Sequence, residues 1–298
     1  MLRRLYYLDS LELALIPVQE FFIRLPQVTT LSALKWRMTG ELDPLQLPPR
    51  IMVYATLREL EFEACDTIHG TAFFTHTQFP ELERISLKHA PIPHALPNIK
   101  AAIRSLGTCH KLRDVCMCLP VPGTILPSAV FNPFLDCRQI ERFRILSHSE
   151  EFPFHPGYAQ IPWCDEDIAQ MARNWRQLRH LELGTMSYGE QEVHITICGL
   201  IPLCQQCPNL AYLTLSINAC NFRRPDFGLR PSHVLWNFRV APDTVVDTDA
   251  TVLMAAARFI LDMWPNSELS RFEVPGYERT GTAAKELCDM HRTIRGAT

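Results

Sequence analysis

Glycine is scarce in this chain, with 12 residues in 298. No Gly-rich phosphate loop occurs, and close backbone approach to a nucleotide is not expected. G-x-S-x-G and H-E-x-x-H are missing too, so the common serine-hydrolase and zinc-protease signatures are absent. No stretch of about 18 uncharged apolar residues exists, and no membrane-spanning helix is expected. No run of lysines or arginines forms a polybasic patch, and the formal net charge is −3. Nothing in that balance attracts nucleic acid or an anionic membrane. N-x-S/T glycosylation sites are also lacking, and the 11 cysteines are odd in number and scattered. A secreted disulfide scaffold is shorter and denser in cysteine. These features point to an intracellular protein, cytoplasmic or nuclear, whose thiols serve as small buried hydrophobes. The N-terminal MLRRLYYLDSLELALIPVQEFF begins with positive charge like a signal peptide. Asp9 and Glu12 interrupt its apolar part, however, and no small-x-small cleavage site follows, so it reads as mature structure.

What is present is a repeat. Hydrophobic residues make up 47% of the chain and mean hydropathy is −0.03, a globular balance. The frame L-x-x-L-x-L appears as Leu31-x-x-Leu34-x-Trp36, Leu57-x-x-Leu60-x-Phe62 and Leu82-x-x-Ile85-x-Leu87. It continues as Leu112-x-x-Val115-x-Met117, Ile140-x-x-Phe143-x-Ile145 and Leu178-x-x-Leu181-x-Leu183. Three further copies are Leu210-x-x-Leu213-x-Leu215, Leu235-x-x-Phe238-x-Val240 and Leu269-x-x-Phe272-x-Val274. One copy fits any strand; nine in order specify a repeat architecture. Successive first positions lie 25 to 38 residues apart, which leaves room for a helix and a loop. Helical patterns fall in those gaps, at 98–109 with Gly107 as C-cap, at 165–175, at 195–207 and at 248–264 with Thr248 or Asp249 as N-cap. In 165–175, Ile168, Met171, Ala172 and Trp175 share one face after an acidic start.

A strand–helix unit of this kind cannot bury its apolar face alone, and stacking the units makes a continuous core. The expected fold is therefore an α/β leucine-rich-repeat solenoid, with a curved parallel sheet on the concave side and helices and loops on the convex side. Residues 31–275 form about nine irregular rungs. Residues 1–30 read as an N-terminal cap and 276–298 as a C-terminal capping helix and tail. Strand alternation sends Leu213 and Leu215 inward and Tyr212, Thr214 and Ser216 to the concave face.

The segments WRQLRHLELG (175–184) and ITICGLIPLCQQCPNLAYLTLS (195–216) resemble the leucine-rich part of basidiomycete fungal F-box proteins. VLWNFRVAPDTVVDTDATVLMAAARFILDMWPNSELSRFEV (234–274) is similar to that family's last two rungs, with Trp264-Pro265 at the turn. The resemblance implies the substrate-recognition part of an F-box/LRR ubiquitin-ligase adaptor, a protein that binds other proteins and is not an enzyme. The L-P-x-E-hydrophobic opening of an F-box is not found before Leu31. A Skp1-type adaptor is therefore expected as a partner only if an F-box is encoded upstream. No nucleic acid, membrane or cofactor is implied.

The alternation also delimits the partner surface. The first three rungs run basic, acidic, basic: Lys35 and Arg37, then Glu59, Glu61 and Glu63, then Arg84 and Lys88. Such charges answer each other across neighbouring strands. The expected partner-binding residues lie further on, at Arg142, Arg144, His180, Glu182, Tyr212, Thr214, Asn237, Arg239 and Arg271, because Arg and Tyr are typical interface anchors. Two other readings compete. Cys204-x-x-Cys207 supplies two zinc ligands of the four that a structural site needs, and serves a thiol- or zinc-dependent hydrolase on paper. The pair ends a helix, however, where nothing lowers a thiol pKa, and Cys207 occupies a slot filled elsewhere by Val28, Tyr54, Phe79, Cys109, Cys137 and Trp175, with Ser232 as the polar exception. The other reading is a structural solenoid that associates with itself. His148 and His155, in a long insertion, read as loop residues.

Overall fold

The computed structural model describes residues 10–14, 25–38, 51–64, 73–89, 96–119, 125–146, 160–184, 193–225, 231–232, 234–241, 244–247, 249–271 and 282–297. Twelve strands occur among them. They are β1 (Ser10–Ala14), β2 (Ala33–Met38), β3 (Met52–Val53), β4 (Glu59–Ala64), β5 (Thr77–Gln78), β6 (Arg84–His89), β7 (Asp114–Cys118), β8 (Arg142–Leu146), β9 (His180–Leu183), β10 (Tyr212–Leu215), β11 (Asn237–Val240) and β12 (Glu268–Arg271). Five α-helices accompany them: α1 (Leu96–Leu106), α2 (Asp165–Asn174), α3 (Ile201–Gln206), α4 (Ala250–Met263) and α5 (Thr282–Ala297).

Ten of the strands form one parallel sheet in the order β1-β2-β4-β6-β7-β8-β9-β10-β11-β12, so every neighbour in the sheet is the next rung of the chain. The remaining two, β3 and β5, pair in parallel beside it. The register follows the repeat frame. Leu34 stands opposite Leu60, Leu60 opposite Ile85, and the line runs through Val115, Phe143, Leu181, Leu213 and Phe238. All of these side chains are buried, as are the first-position residues Leu31, Leu57, Leu82, Leu112, Ile140, Leu178, Leu210 and Leu235. The frame is thus a set of aligned core columns, and the chain is an α/β leucine-rich-repeat solenoid.

A tight corner precedes most strands. The first-position N–H donates to the carbonyl three residues back, as in Leu112 to Cys109 (3.0 Å), Leu178 to Trp175 (2.9 Å) and Leu210 to Cys207 (3.1 Å). The corner residue is inside the molecule, which is why that slot is apolar. Helix α2 places Ile168, Met171 and Ala172 in the core, and Trp175 follows with its indole N–H donating to the Phe134 carbonyl (3.1 Å). Its start is fixed by the Cys164 N–H donating to Asp167 (2.9 Å) and by three acids in the first turn. In α4 the Asp249 carboxylate accepts from the Thr251 N–H (2.7 Å), so Asp249 is the N-cap.

Three expectations change. First, residues 10–14, placed within a cap, form β1 and extend the sheet: Leu11 and Leu13 stand in register with Leu34 and Trp36. Second, the last frame sits three residues too late. Leu269, not Phe272, is opposite Phe238, because the final rung turns at Trp264 and puts Ser267 (fully buried) where other rungs carry leucine. Phe272 and Val274 lie outside the described residues. Third, Gly107 does follow α1 as its C-cap, its N–H donating to the Ile103 carbonyl (2.9 Å), but not through a left-handed φ. A Cβ there would come within 2.4 Å of Pro133, so the glycine is required by the close approach of the neighbouring Ser128–Asp136 turn. At the C-terminal side, α5 packs on α4 and β12, burying Leu287 and Cys288.

Candidate partner-binding face

The sheet has one face in the core and one open. Outward positions of adjacent strands form two columns: Ala33, Glu59, Arg84, Asp114, Arg142, His180, Tyr212, Asn237 and Glu268, and beside it Lys35, Glu61, Ser86, Cys116, Arg144, Glu182, Thr214, Arg239 and Ser270. Parallel pairing at about 4.8 Å puts side chains of successive rungs within reach of each other.

Over the first five of these rungs the charges pair. Lys35 and Lys88 both reach Glu61, at 3.7 and 3.4 Å, and Arg84 contacts Glu59. The ladder then runs past the point where the sequence ends it. Asp114, only 9% exposed, receives Arg142 at 2.7 Å and Arg144 at 3.5 Å. A second ladder follows the residues that enter the strands: Arg58–Glu83 at 3.7 Å, Arg113–Glu141 at 3.8 Å and Arg179–Glu141 at 3.6 Å. Each exposed pair contributes little by itself. Their effect is to neutralise this half of the face, so that Arg142 and Arg144, expected as partner anchors, already have a protein carboxylate.

From β9 on the surface changes character. The His180 ring stacks on Tyr212, with centroids 5.4 Å apart and planes at 30°. Its Nε2 is 3.7 Å from Glu182. Tyr212 is 51% exposed, and Asn237 and Arg239 flank it on β11. Thr214, expected at the surface, is buried with Ser216, so neither presents a hydroxyl to a partner. Arg271 falls in register with the core residue Val240, not with Arg239, because of the shift in the last rung; its side chain lies outside the described ones.

Trp236 is the residue the alternation misses. It is 70% exposed, immediately before Asn237, the register partner of Tyr212. Its backbone N–H donates to the Ala211 carbonyl (3.0 Å), which holds it on the rim. Frame counting assigns outward direction to strand positions only, and Trp236 precedes its strand. The available signal is compositional: a tryptophan at a place where other rungs carry Arg58, Glu83, Arg113, Glu141 and Arg179. Val234, nearby in the chain, is also exposed.

The cysteine pair lies on the other side. Cys204 and Cys207 are buried, with thiols directed at the Met263 carbonyl (3.4 Å) and the Trp175 carbonyl (3.7 Å). Burial pushes the Cys207 thiol up to about 12, the opposite of what a nucleophile or a metal ligand needs. No group of three or more metal-ligating side chains occurs among the described residues. His148 and His155 lie outside them.

No family model matches this chain. No curated protein matches it either. Among solved structures, an internalin from Listeria monocytogenes str. 4b F2365 is similar over 92% of this chain and 84% of its own, at 12% identity and a TM-score of 0.33. The TLR13–ssRNA13 complex is similar over 90% of this chain and 43% of that one, at 14% identity and a TM-score of 0.30. Likenesses this weak add nothing to the register, on which the repeat fold rests.

Proposed function

We propose that this protein is a non-catalytic interaction module whose protein partner docks on the open face over β9–β12. The observation that carries the reading is the change of surface there. Ion pairs cover the face up to β8, and beyond them stand two exposed aromatic side chains, Tyr212 and Trp236, beside Asn237 and Arg239. Large aromatics and arginine are the residues that dominate binding energy at protein interfaces. The finer reading is the substrate-recognition part of an F-box/LRR ubiquitin-ligase adaptor, working inside the cell with a Skp1-type adaptor engaged through an F-box encoded elsewhere. It is supported by the resemblance of 165–275 to fungal F-box proteins.

Photo-crosslinking in the native host tests the docking face. A benzophenone amino acid at Tyr212 or Trp236 should give discrete protein adducts, and the same group at Met254, exposed on helix α4, should not. Equal labelling from both places, or none from either, would defeat the reading. The ubiquitin-ligase version further requires that the adduct be ubiquitinated in a manner dependent on the Skp1-type adaptor.

A further inference from the structure

We propose that the partner presents a carboxylate next to an apolar side chain, the carboxylate meeting Arg239 and the apolar group lodging by Tyr212 and Trp236. This rests on the docking face proposed above and adds the chemistry of what binds there.

Five cations of the open face sit within 4 Å of an acid: Lys35, Arg84, Lys88, Arg142 and Arg144. Arg239 is exposed, and no ion pair is formed by it among the described residues. Its register neighbours are Thr214 and Ser270, neither of them charged. Glu268 is the acid of the adjacent strand, but it stands opposite Asn237, diagonally from Arg239, and the two do not pair. Among the described side chains of the open face, the ladder of the earlier rungs therefore leaves the Arg239 guanidinium without an acid.

Arg239 follows Trp236 by three residues and lies diagonally across the strand pair from Tyr212, which stands opposite Asn237; these are the two most exposed aromatic rings described, Tyr212 at 51% and Trp236 at 70%. A ligand that covers the rings also removes water from around Arg239. A bidentate carboxylate then gains strength from the lowered local dielectric. Nucleic acid fits the face poorly. A phosphate backbone needs several free cations in line, whereas among the described residues Arg84 is held by Glu59, Arg142 and Arg144 by Asp114, and Arg113 and Arg179 by Glu141, and those acids would repel it. A single carboxylate beside an aliphatic or aromatic group matches one open cation beside two rings.

Panning a random-peptide library against the full chain tests this directly. The expected result is enrichment of peptides with Asp or Glu adjacent to a large apolar residue. Trp236→Ala should weaken them, and Arg239→Glu should weaken them by at least about tenfold, a difference of about 1.4 kcal/mol. Replacing the peptide's acid by Lys should restore binding to the Arg239→Glu protein. Both side chains are exposed, and unchanged thermal melting would show that each variant folds. Peptides that need Trp236 but carry no acid, or that ignore Arg239→Glu, would overturn this inference and leave the docking face standing. Peptides indifferent to Trp236→Ala, or no enrichment, would overturn both.

Discussion

Cys207 shows how a local motif is overruled by its slot. In isolation C-x-x-C suggests chemistry; in the repeat, Cys207 is the corner residue of its rung and wholly buried. The sequence carried that answer, because six other rungs place Val28, Tyr54, Phe79, Cys109, Cys137 and Trp175 there. Two results should follow. Ellman's reagent should leave Cys204 and Cys207 unmodified in the native protein and modify both in denaturant. Cys207→Ala should cost about 1 kcal/mol by leaving a small cavity, with no dependence on zinc or chelator. Rapid labelling of Cys207 in the folded state would refute its burial. Trp236 is the converse case. Nothing in the hydrophobic period marks it, since exposure at a rim position depends on how the chain enters the strand, and alternation is silent there.

At the scale of the element, α5 carries a titratable group in the wrong place for charge. His291 is 2% exposed and its Nε2 has no hydrogen-bond partner. Burial first, then Arg295 and Arg292 on the same helix, lower its pKa from 6.5 to about 4. The folded state therefore holds the neutral ring, and the unfolded chain binds more protons between pH 6.5 and 4. Stability from this group is fully present above about pH 6.5 and is lost as pH falls towards 4, by on the order of 3 kcal/mol. Urea titrations at pH 7 and pH 5 should show the loss, and His291→Leu should abolish that part of it. An unchanged pH dependence in the variant would assign the effect elsewhere. Helices and strands of this kind were largely legible: α1, α2 and α4 lie where the 3.6 period puts them, and eight frames fall in register. Two places were not. Leu8-x-x-Leu11-x-Leu13 repeats the frame, yet it lies in a stretch that also reads as an amphipathic cap. In the last rung a buried Ser267 replaces the first leucine, so pattern matching slides to Leu269, the next leucine along.

For the whole molecule, the topology has a mechanical consequence. Each strand pairs only with the rungs before and after it, so stability is a chain of nearest-neighbour terms. The sheet's middle link is aromatic: Phe143 on β8 is fully buried and packs on Trp175 at 4.7 Å, Phe134 at 5.8 Å and Phe131 at 6.3 Å. Truncating it should remove about 3–5 kcal/mol from one interface while leaving the rungs on either side intact. The molecule holds its own reporters for the outcome, since Trp36 on β2 and Trp264 before β12 are both fully buried, far apart in the stack. With fluorine-labelled tryptophan, their two resonances should lose native intensity at one urea concentration in the wild type. In Phe143→Ala they should separate, because the weakened link lets one half unfold before the other. Coincident loss in the variant, merely shifted to lower urea, would mean that the array folds as a single cooperative unit and that coupling reaches beyond adjacent rungs. The open face depends on the same link: if the halves separate, the ion-paired rungs up to β8 can melt while β9–β12 keep Tyr212, Trp236 and Arg239 together. Under such conditions peptide binding should survive the loss of the Trp36 signal and end with that of Trp264.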